Sequence, residues 1–269
     1  LEPLVVIVGT TASGKSALAM QIAQERNGEI IAADSRTIYK GMDIGTAKPS
    51  LQHQAKVKHH LLGIVNPDQK FTAADFQKLA QQAIKDIHNR GKLPIIVGGT
   101  GLYVDSILYD FSFRPANPAE RQRLESLTVD ELQTEITQKG LEMPQNYQNP
   151  RHLIRVLETD GKVGAKKPLR ANTELVGVRV PDSELKERIG QRIDQMIAQG
   201  LEQEVKELSK RYGWEAEAMK GIGYREWQAY FNDDQDLIKT KELIVQDTWQ
   251  YARRQRTWFR RNQDIRWQN

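Results

Sequence analysis

The chain has 269 residues, 39% hydrophobic and 28% charged, which suits a soluble globular protein of one large or two modest domains. No apolar run approaches the roughly 20 residues that span a bilayer, no signal peptide is visible, and the absence of cysteine excludes disulfides, thiolate catalysis and Cys-ligated zinc in this chain. The net charge of +4 is unevenly placed, because residues 249–269 carry six Arg against one Asp, or +5, and everything before them sums to −1. Such asymmetry points to a polyanionic partner near the C-terminus. A reducing cytoplasm is the expected compartment. Leu1 is not an initiator, so the native start is expected upstream.

Residues 4–8, "LVVIV", are continuous and β-branched and predict a buried strand, followed by a glycine loop and a helix to about Arg26. "GEIIAADS" predicts a second short strand ending in Asp34. His59 and His60 show no metal-ligand pattern and read as surface or loop residues. "FTAADFQKLAQQAIKDIHNRG" places Phe76, Leu79, Ala80, Ala83, Ile84 and Ile87 at helical spacing, with Thr72 as N-cap and Gly91 at the end. "LPIIVGGTG" is another buried strand running into a Gly-rich turn. Strand, helix, strand, helix, strand signals a parallel sheet with crossover helices. Residues 110–173 then turn polar and helix-forming and predict a small, mostly helical insertion, so that 1–109 and 174–269 form the core. "TELVGVRV" returns as a strand. From Asp182 one long amphipathic helix is expected, with Leu185, Ile189, Ile193, Met196, Ile197, Leu201, Val205 and Leu208 in a single stripe. The remainder reads as helical to about Arg261.

The strongest chemical signal is "GTTASGKS", residues 9–16, which meets the pattern G-x-x-x-x-G-K-[ST] between a strand and a helix. Gly9, Thr10, Thr11, Ala12, Ser13 and Gly14 would offer backbone N–H groups to an anion, aided by the positive end of the following helix. Lys15 would neutralise phosphate oxygens and Ser16 would help hold Mg²⁺. A nucleotide hydrolase of this kind should also carry an Asp at the end of a later strand, yet the third strand ends in "GGTG". Asp34, at the tip of the neighbouring strand, would face the same crevice and touch an acceptor substrate or a metal, or merely cap its own turn. Arg188 and Arg192 lie four residues apart on one helix face, where Glu184 could equally engage Arg188 as a surface ion pair. In "YARRQRTWFRR", Arg253, Arg254, Arg256, Arg260 and Arg261 interleave with Tyr251, Trp258 and Phe259, a composition suited to gripping RNA. Val245, Trp249, Ala252 and Phe259 share a helical stripe, so Trp249 and Phe259 read as core.

"GTTASGKS", "DSRTIYKGMDIGTAKP", "GGTGLYVDSIL", "RIGQRIDQMIAQGLEQEV", "GIGYREW" and "YARRQRTWFR" occur in the order of the signature blocks of tRNA dimethylallyltransferases, also called tRNA isopentenyltransferases, and the chain resembles that family over nearly its whole length. A lone phosphate loop is shared by many families; the second block is not. The resemblance implies a phosphate-loop α/β fold with a helical insertion. It implies transfer of a dimethylallyl group from dimethylallyl diphosphate to N6 of the adenosine just 3′ of the anticodon. The loop would then hold the diphosphate leaving group, with Mg²⁺, rather than ATP. By the same resemblance Asp34 is the general base, Thr11 lies near the bridging oxygen, and Arg192 more than Arg188 reaches diphosphate. Asp34, Ser35, Arg36, Thr37 and Thr100 match residues at the target nucleotide, while Arg121, Arg151 and Arg155 match tRNA contacts in the insertion. Thr10 stands where many relatives have Pro, and Lys40 where Arg is common. The insertion is shorter than the family's usual, and without Cys for a zinc-finger tail the chain looks bacterial in type.

The partners implied are the tRNA anticodon stem-loop and dimethylallyl diphosphate, with no membrane and no obligate protein partner evident. Two other classes meet parts of the pattern. A phosphate-loop kinase would also use an Asp after the second strand, but does not need a basic, aromatic C-terminal helix. An RNA-binding module does not need an intact Lys15–Ser16 pair.

Overall fold

A computed structural model describes residues 2–113, 117–162 and 167–268. In chain order its elements are β1 (Leu4–Gly9), α1 (Lys15–Glu25), β2 (Gly28–Ala33), α2 (Leu51–Lys56), β3 (His59–His60), α3 (Ala73–Asn89), β4 (Leu93–Gly98) and α4 (Gly101–Leu108). There follow α5 (Pro118–Glu125), α6 (Val129–Gln138), α7 (Pro150–Glu158), β5 (Thr173–Val178), α8 (Asp182–Ala198), α9 (Leu201–Tyr212), a 3-10 turn (Ala218–Lys220), α10 (Trp227–Phe231), α11 (Leu237–Phe259) and β6 (Arg266–Gln268). Two compact units result: Leu1–Leu108 with Leu169–Asn269, and Tyr109–Pro168.

The first unit is an α/β fold on a six-stranded sheet of order β3-β2-β4-β1-β5-β6, with every pairing parallel. Its central strands are covered on both faces, which is why they read as unbroken apolar runs. Val5, Ile7, Ile30, Ile95 and Val97 pack with Ala19 and Ala23 of α1. The helix α3 starts on a capping box in which Thr72 and Asp75 exchange hydrogen bonds, and it buries Phe76, Ala80, Ala83, Ile84 and Ile87.

Four sequence expectations need correction here. The strand that precedes Asp34 is not the neighbour of the phosphate-loop strand: β4 pairs with both β1 and β2 and lies between them. The crossover through α3 brings the later strand back into the middle, as sheet topology allows and linear order does not reveal. The long amphipathic helix is two helices, because Gly200 (φ 100°) takes a left-handed backbone that only glycine adopts freely. His60 is no bystander: with His59 it forms β3, and its ring meets Glu29 Oε2 at 2.7 Å. Glu29 is 2% exposed and also holds Arg90 at 2.7 Å and Lys92 at 3.1 Å. Burial alone would raise its carboxyl, but the hydrogen bonds from Arg90, His60 and Lys92 hold it down at about 2. The chain after α9 is also less continuously helical than its pattern suggests, and it closes on the edge strand β6.

The second unit is a small helical cluster in which Leu124, Leu132, Ile136, Leu153, Ile154 and Leu157 are buried together. Its helices are locally specified, with Asn117 and Asn149 capping starts that carry Pro at the first helical position, and a capping box between Thr128 and Glu131.

Candidate active site

The carboxyl ends of β1, β4 and β2 present three segments side by side: the phosphate loop, the "GGTG" turn and the loop that begins at Asp34. Ligands of open parallel sheets bind in the crevice outside such strand ends. The phosphate loop has Ala12 (φ 59°) and Gly14 (φ 92°) in left-handed conformations, a nest-like reversal. Two of the expected donors, however, are engaged within the protein: the Thr11 N–H by Gln255 Oε1 at 2.8 Å and the Ser13 N–H by the Thr10 carbonyl at 3.3 Å. The first-turn amides of α1, at Lys15 and Ser16, have no partner inside the helix.

Charge converges on the same place. Lys15 donates to the Thr10 carbonyl at 3.0 Å. Burial pushes its ammonium down to about 8, an effect that Asp34 opposes and Arg192 reinforces. Burial likewise lowers Arg192, again opposed by Asp34, and Arg192 has no ion-pair partner among the described residues. Two cations therefore face one carboxylate, leaving a desolvated positive charge that an anion would satisfy. Arg188, by contrast, is exposed and paired to Glu184 at 2.5 Å, although its guanidinium lies about 4.0 Å from the space over Gly14. A cleft of about 650 Å³ lies at Tyr230–Leu237, but Asp233, Asp234 and Asp236 on its wall would repel a diphosphate.

Asp34 is half-buried, and its Oδ1 accepts from the backbone N–H groups of Arg36 (2.8 Å) and Thr37 (3.2 Å). It thus caps its turn, as an Asx motif does, while Oδ2 makes no hydrogen bond among the described residues. Beside it, the Ser35 N–H donates to Thr100 Oγ1 at 3.1 Å, which ties the Asp34 loop to the "GGTG" turn. Arg36 donates to the Glu217 carbonyl at 3.1 Å, and Thr37 is buried. Downstream, Glu204 at the start of α9 accepts from the N–H groups of Asp43, Ile44 and Gly45 and from the Tyr224 hydroxyl. One carboxylate thereby holds the Asp43–Gly45 turn of the "GMDIGTAKP" segment in place.

The basic residues divide once the fold places them. Arg253 and Arg254 on α11, and Arg260 at its C-cap, are exposed, and Arg254 lies over the Tyr251 ring at 5.9 Å. Arg256 is instead paired with Asp182 at the start of α8. Phe259 is buried as expected, whereas Trp249 is only half-buried. In the second unit Arg121 is held by Glu125 and Glu158, Arg155 also reaches Glu158, and Arg151 is exposed. Sequence reasoning missed Glu204, Tyr224 and Gln255. Gln255 had a signal, being a polar residue set three after Ala252 and four before Phe259 on a buried stripe.

Fold and site together define a phosphate-loop α/β protein with a carboxylate, Asp34, on the loop of a nearby strand. Comparison with known proteins specifies it further: residues 37–262 match the family model for IPP transferase. The tRNA dimethylallyltransferases of Anoxybacillus flavithermus and Bacillus subtilis are 42% and 40% identical to this chain, each over 99% of it and 90% of the relative. The full-length tRNA isopentenylpyrophosphate transferase of Bacillus halodurans superposes with a TM-score of 0.77 at 35% identity, covering 100% of this chain and 90% of that one. A eukaryotic dimethylallyltransferase acting on tRNA superposes at 0.81 and 29% identity, over 96% of this chain and 70% of that one. The chain belongs to the IPP transferase family and is a prenyltransferase by that membership.

Proposed function

We propose that this protein transfers a dimethylallyl group from dimethylallyl diphosphate to N6 of the adenosine immediately 3′ of a tRNA anticodon, releasing diphosphate. The observation that carries the reading is the placement of the phosphate loop, the "GGTG" turn and the Asp34 loop at the ends of three adjacent parallel strands, with Lys15 and Arg192 near enough to Asp34 for their charges to be felt. The N6 lone pair forms a bond to C1 of the dimethylallyl group as the C1–O bond breaks, and that electron pair leaves with the diphosphate. Lys15, Arg192, the loop amides and Thr11 stabilise the charge growing on the departing oxygens. Asp34 Oδ2 takes the proton that N6 sheds, since Oδ1 is already engaged. Thr100 and Ser35 hold the acceptor base, which has to leave its stack to reach them.

Mg²⁺ fits the donor set. The exposed Ser16 hydroxyl heads α1 beside Lys15, and Mg²⁺ favours one or two protein oxygens with waters and substrate phosphates completing its shell. When bound it would neutralise diphosphate charge. No helix of the described residues is long and apolar enough to cross a membrane, and the exposed Arg253, Arg254 and Arg260 suit a tRNA backbone better than a lipid face. Incubation with unmodified tRNA and labelled dimethylallyl diphosphate, followed by nucleoside analysis, should place label on N6 of one adenosine. Phosphate transfer from ATP at a comparable rate would overturn the reading and favour a kinase.

A further inference from the structure

Gln255 carries a carboxamide into the buried face of α11, where it is 4% exposed. A polar group there is costly unless each of its atoms finds a partner. Its Oε1 accepts from the Thr11 N–H at 2.8 Å and its Nε2 donates to the Gly99 carbonyl at 3.0 Å. The Tyr251 hydroxyl, one turn earlier, lies close to the side chains of both Gln255 and Thr100. Thr100 in turn accepts from the Ser35 N–H. Gln255 therefore ties the phosphate loop to the "GGTG" turn, and Thr100 of that turn ties it to the loop of Asp34.

The "GGTG" turn is shaped to receive this helix. A Cβ on Gly99 would lie 2.1 Å from Gln255 Nε2, and one on Gly101 would lie 2.3 Å from the Trp258 ring. Trp258 is pinned as well, its Nε1 donating to Asp105 Oδ2 at 3.0 Å. A single planar group with one acceptor edge and one donor edge is what the gap between Thr11 N–H and Gly99 C=O requires. Glu offers no donor at that edge when ionised, Leu offers neither edge, and Asn is one methylene short of spanning it.

We propose that Gln255, with Tyr251 as its link to Thr100, is a positioning residue for group transfer: it sets the separation between the leaving-group side of the site at Thr11 and the acceptor side at Thr100 and Asp34. This rests on the prenyl-transfer reading above. The consequence is kinetic rather than one of affinity. Diphosphate is held by Lys15 and Arg192 and tRNA by exposed arginines, none of which hydrogen-bonds Gln255. A reacting pair displaced by about 1 Å loses on the order of 10²-fold in rate.

The test uses the full chain with Gln255→Met, Tyr251→Phe and the double variant. Single-turnover transfer of labelled dimethyllallyl to unmodified tRNA is measured beside calorimetric binding of inorganic diphosphate, filter binding of tRNA and thermal denaturation. Wild-type transfer is the control: if it fails, the function reading fails, and the positioning role falls with it. Given transfer, Gln255→Met should slow it by about 30- to 300-fold, with both affinities within about threefold of wild type. Tyr251→Phe should slow it by about 5- to 20-fold, and the double variant should be no slower than Gln255→Met alone, because both break one chain of contacts. Should Gln255→Met fail to fold, Tyr251→Phe, which loses only a hydroxyl, decides the matter by its rate and affinities. Rates within twofold of wild type in the folded variants would overturn the proposal. So would affinity losses large enough to account for the slowing, or fully additive effects.

Discussion

Replacing Asp34 by Asn separates the two jobs the structure gives that residue. The backbone N–H groups of Arg36 and Thr37 both donate to Oδ1, at 2.8 and 3.2 Å, and an amide oxygen in the same place keeps both bonds. The turn should therefore survive with less than about 1 kcal/mol of lost stability, the scale of a weakened rather than a broken hydrogen bond. What disappears is the proton acceptor at Oδ2 and the negative charge opposite Lys15 and Arg192. Loss of a general base costs about 10²–10⁴ in rate, or roughly 2.7–5.5 kcal/mol of barrier. Diphosphate binding should move the other way or not at all, because two cations lose the carboxylate that opposed them. Single-turnover transfer measured by rapid quench reports the chemical step, while calorimetry with inorganic diphosphate reports the cradle. Near-normal transfer by a folded Asp34→Asn enzyme would show that the residue only caps its turn. Loss of Mg²⁺ binding would make it a metal ligand instead.

Three further outcomes follow from the same geometry. Glu204→Gln keeps one oxygen for Gly45 and Tyr224 but turns an NH₂ group against the N–H groups of Asp43 and Ile44; at about 1–2 kcal/mol for each half-exposed bond, Tm should fall by about 5–10 °C, and a Tm within 1 °C of wild type would refute the clamp. Arg253→Gln and Arg260→Gln should each flatten the log–log salt dependence of tRNA binding by roughly 0.7–0.9, whereas Arg256→Gln, already spoken for by Asp182, should leave the slope unchanged. Glu226 is buried beside Asp247 and Arg225, and burial raises its carboxyl to about 7. The folded state then binds a proton that the unfolded state has already released, so stability should fall as pH rises from about 4.5 to about 7; Glu226→Gln should flatten that slope in denaturation measured across the window.

Much of the site is written in neighbouring residues. The phosphate loop is eight consecutive residues whose backbone makes the cradle, and Asp34 caps a turn within three residues of itself, so both were legible without a fold. The buried strands and the α3 face were legible too, because periodicity reports burial directly. Two- and three-residue edge strands carry no period, so β3 and β6 left no trace, and the break at Gly200 was masked by apolar spacing that continues across it.

Tertiary structure alone decided which cations remain uncompensated. Arg192 and Arg188 read alike along the chain, yet one is half-buried with no ion pair among the described residues and the other is exposed and held by Glu184. Arg256 looked like its neighbours until α8 brought Asp182 against it. The placement of β4 between β1 and β2, and the bond from Thr11 to Gln255 across 244 positions, depend on which surfaces meet once the sheet closes. Hydrogen bonds and ion pairs of that reach leave no spacing rule in the sequence, because their partners are chosen by packing rather than by the few residues on either side.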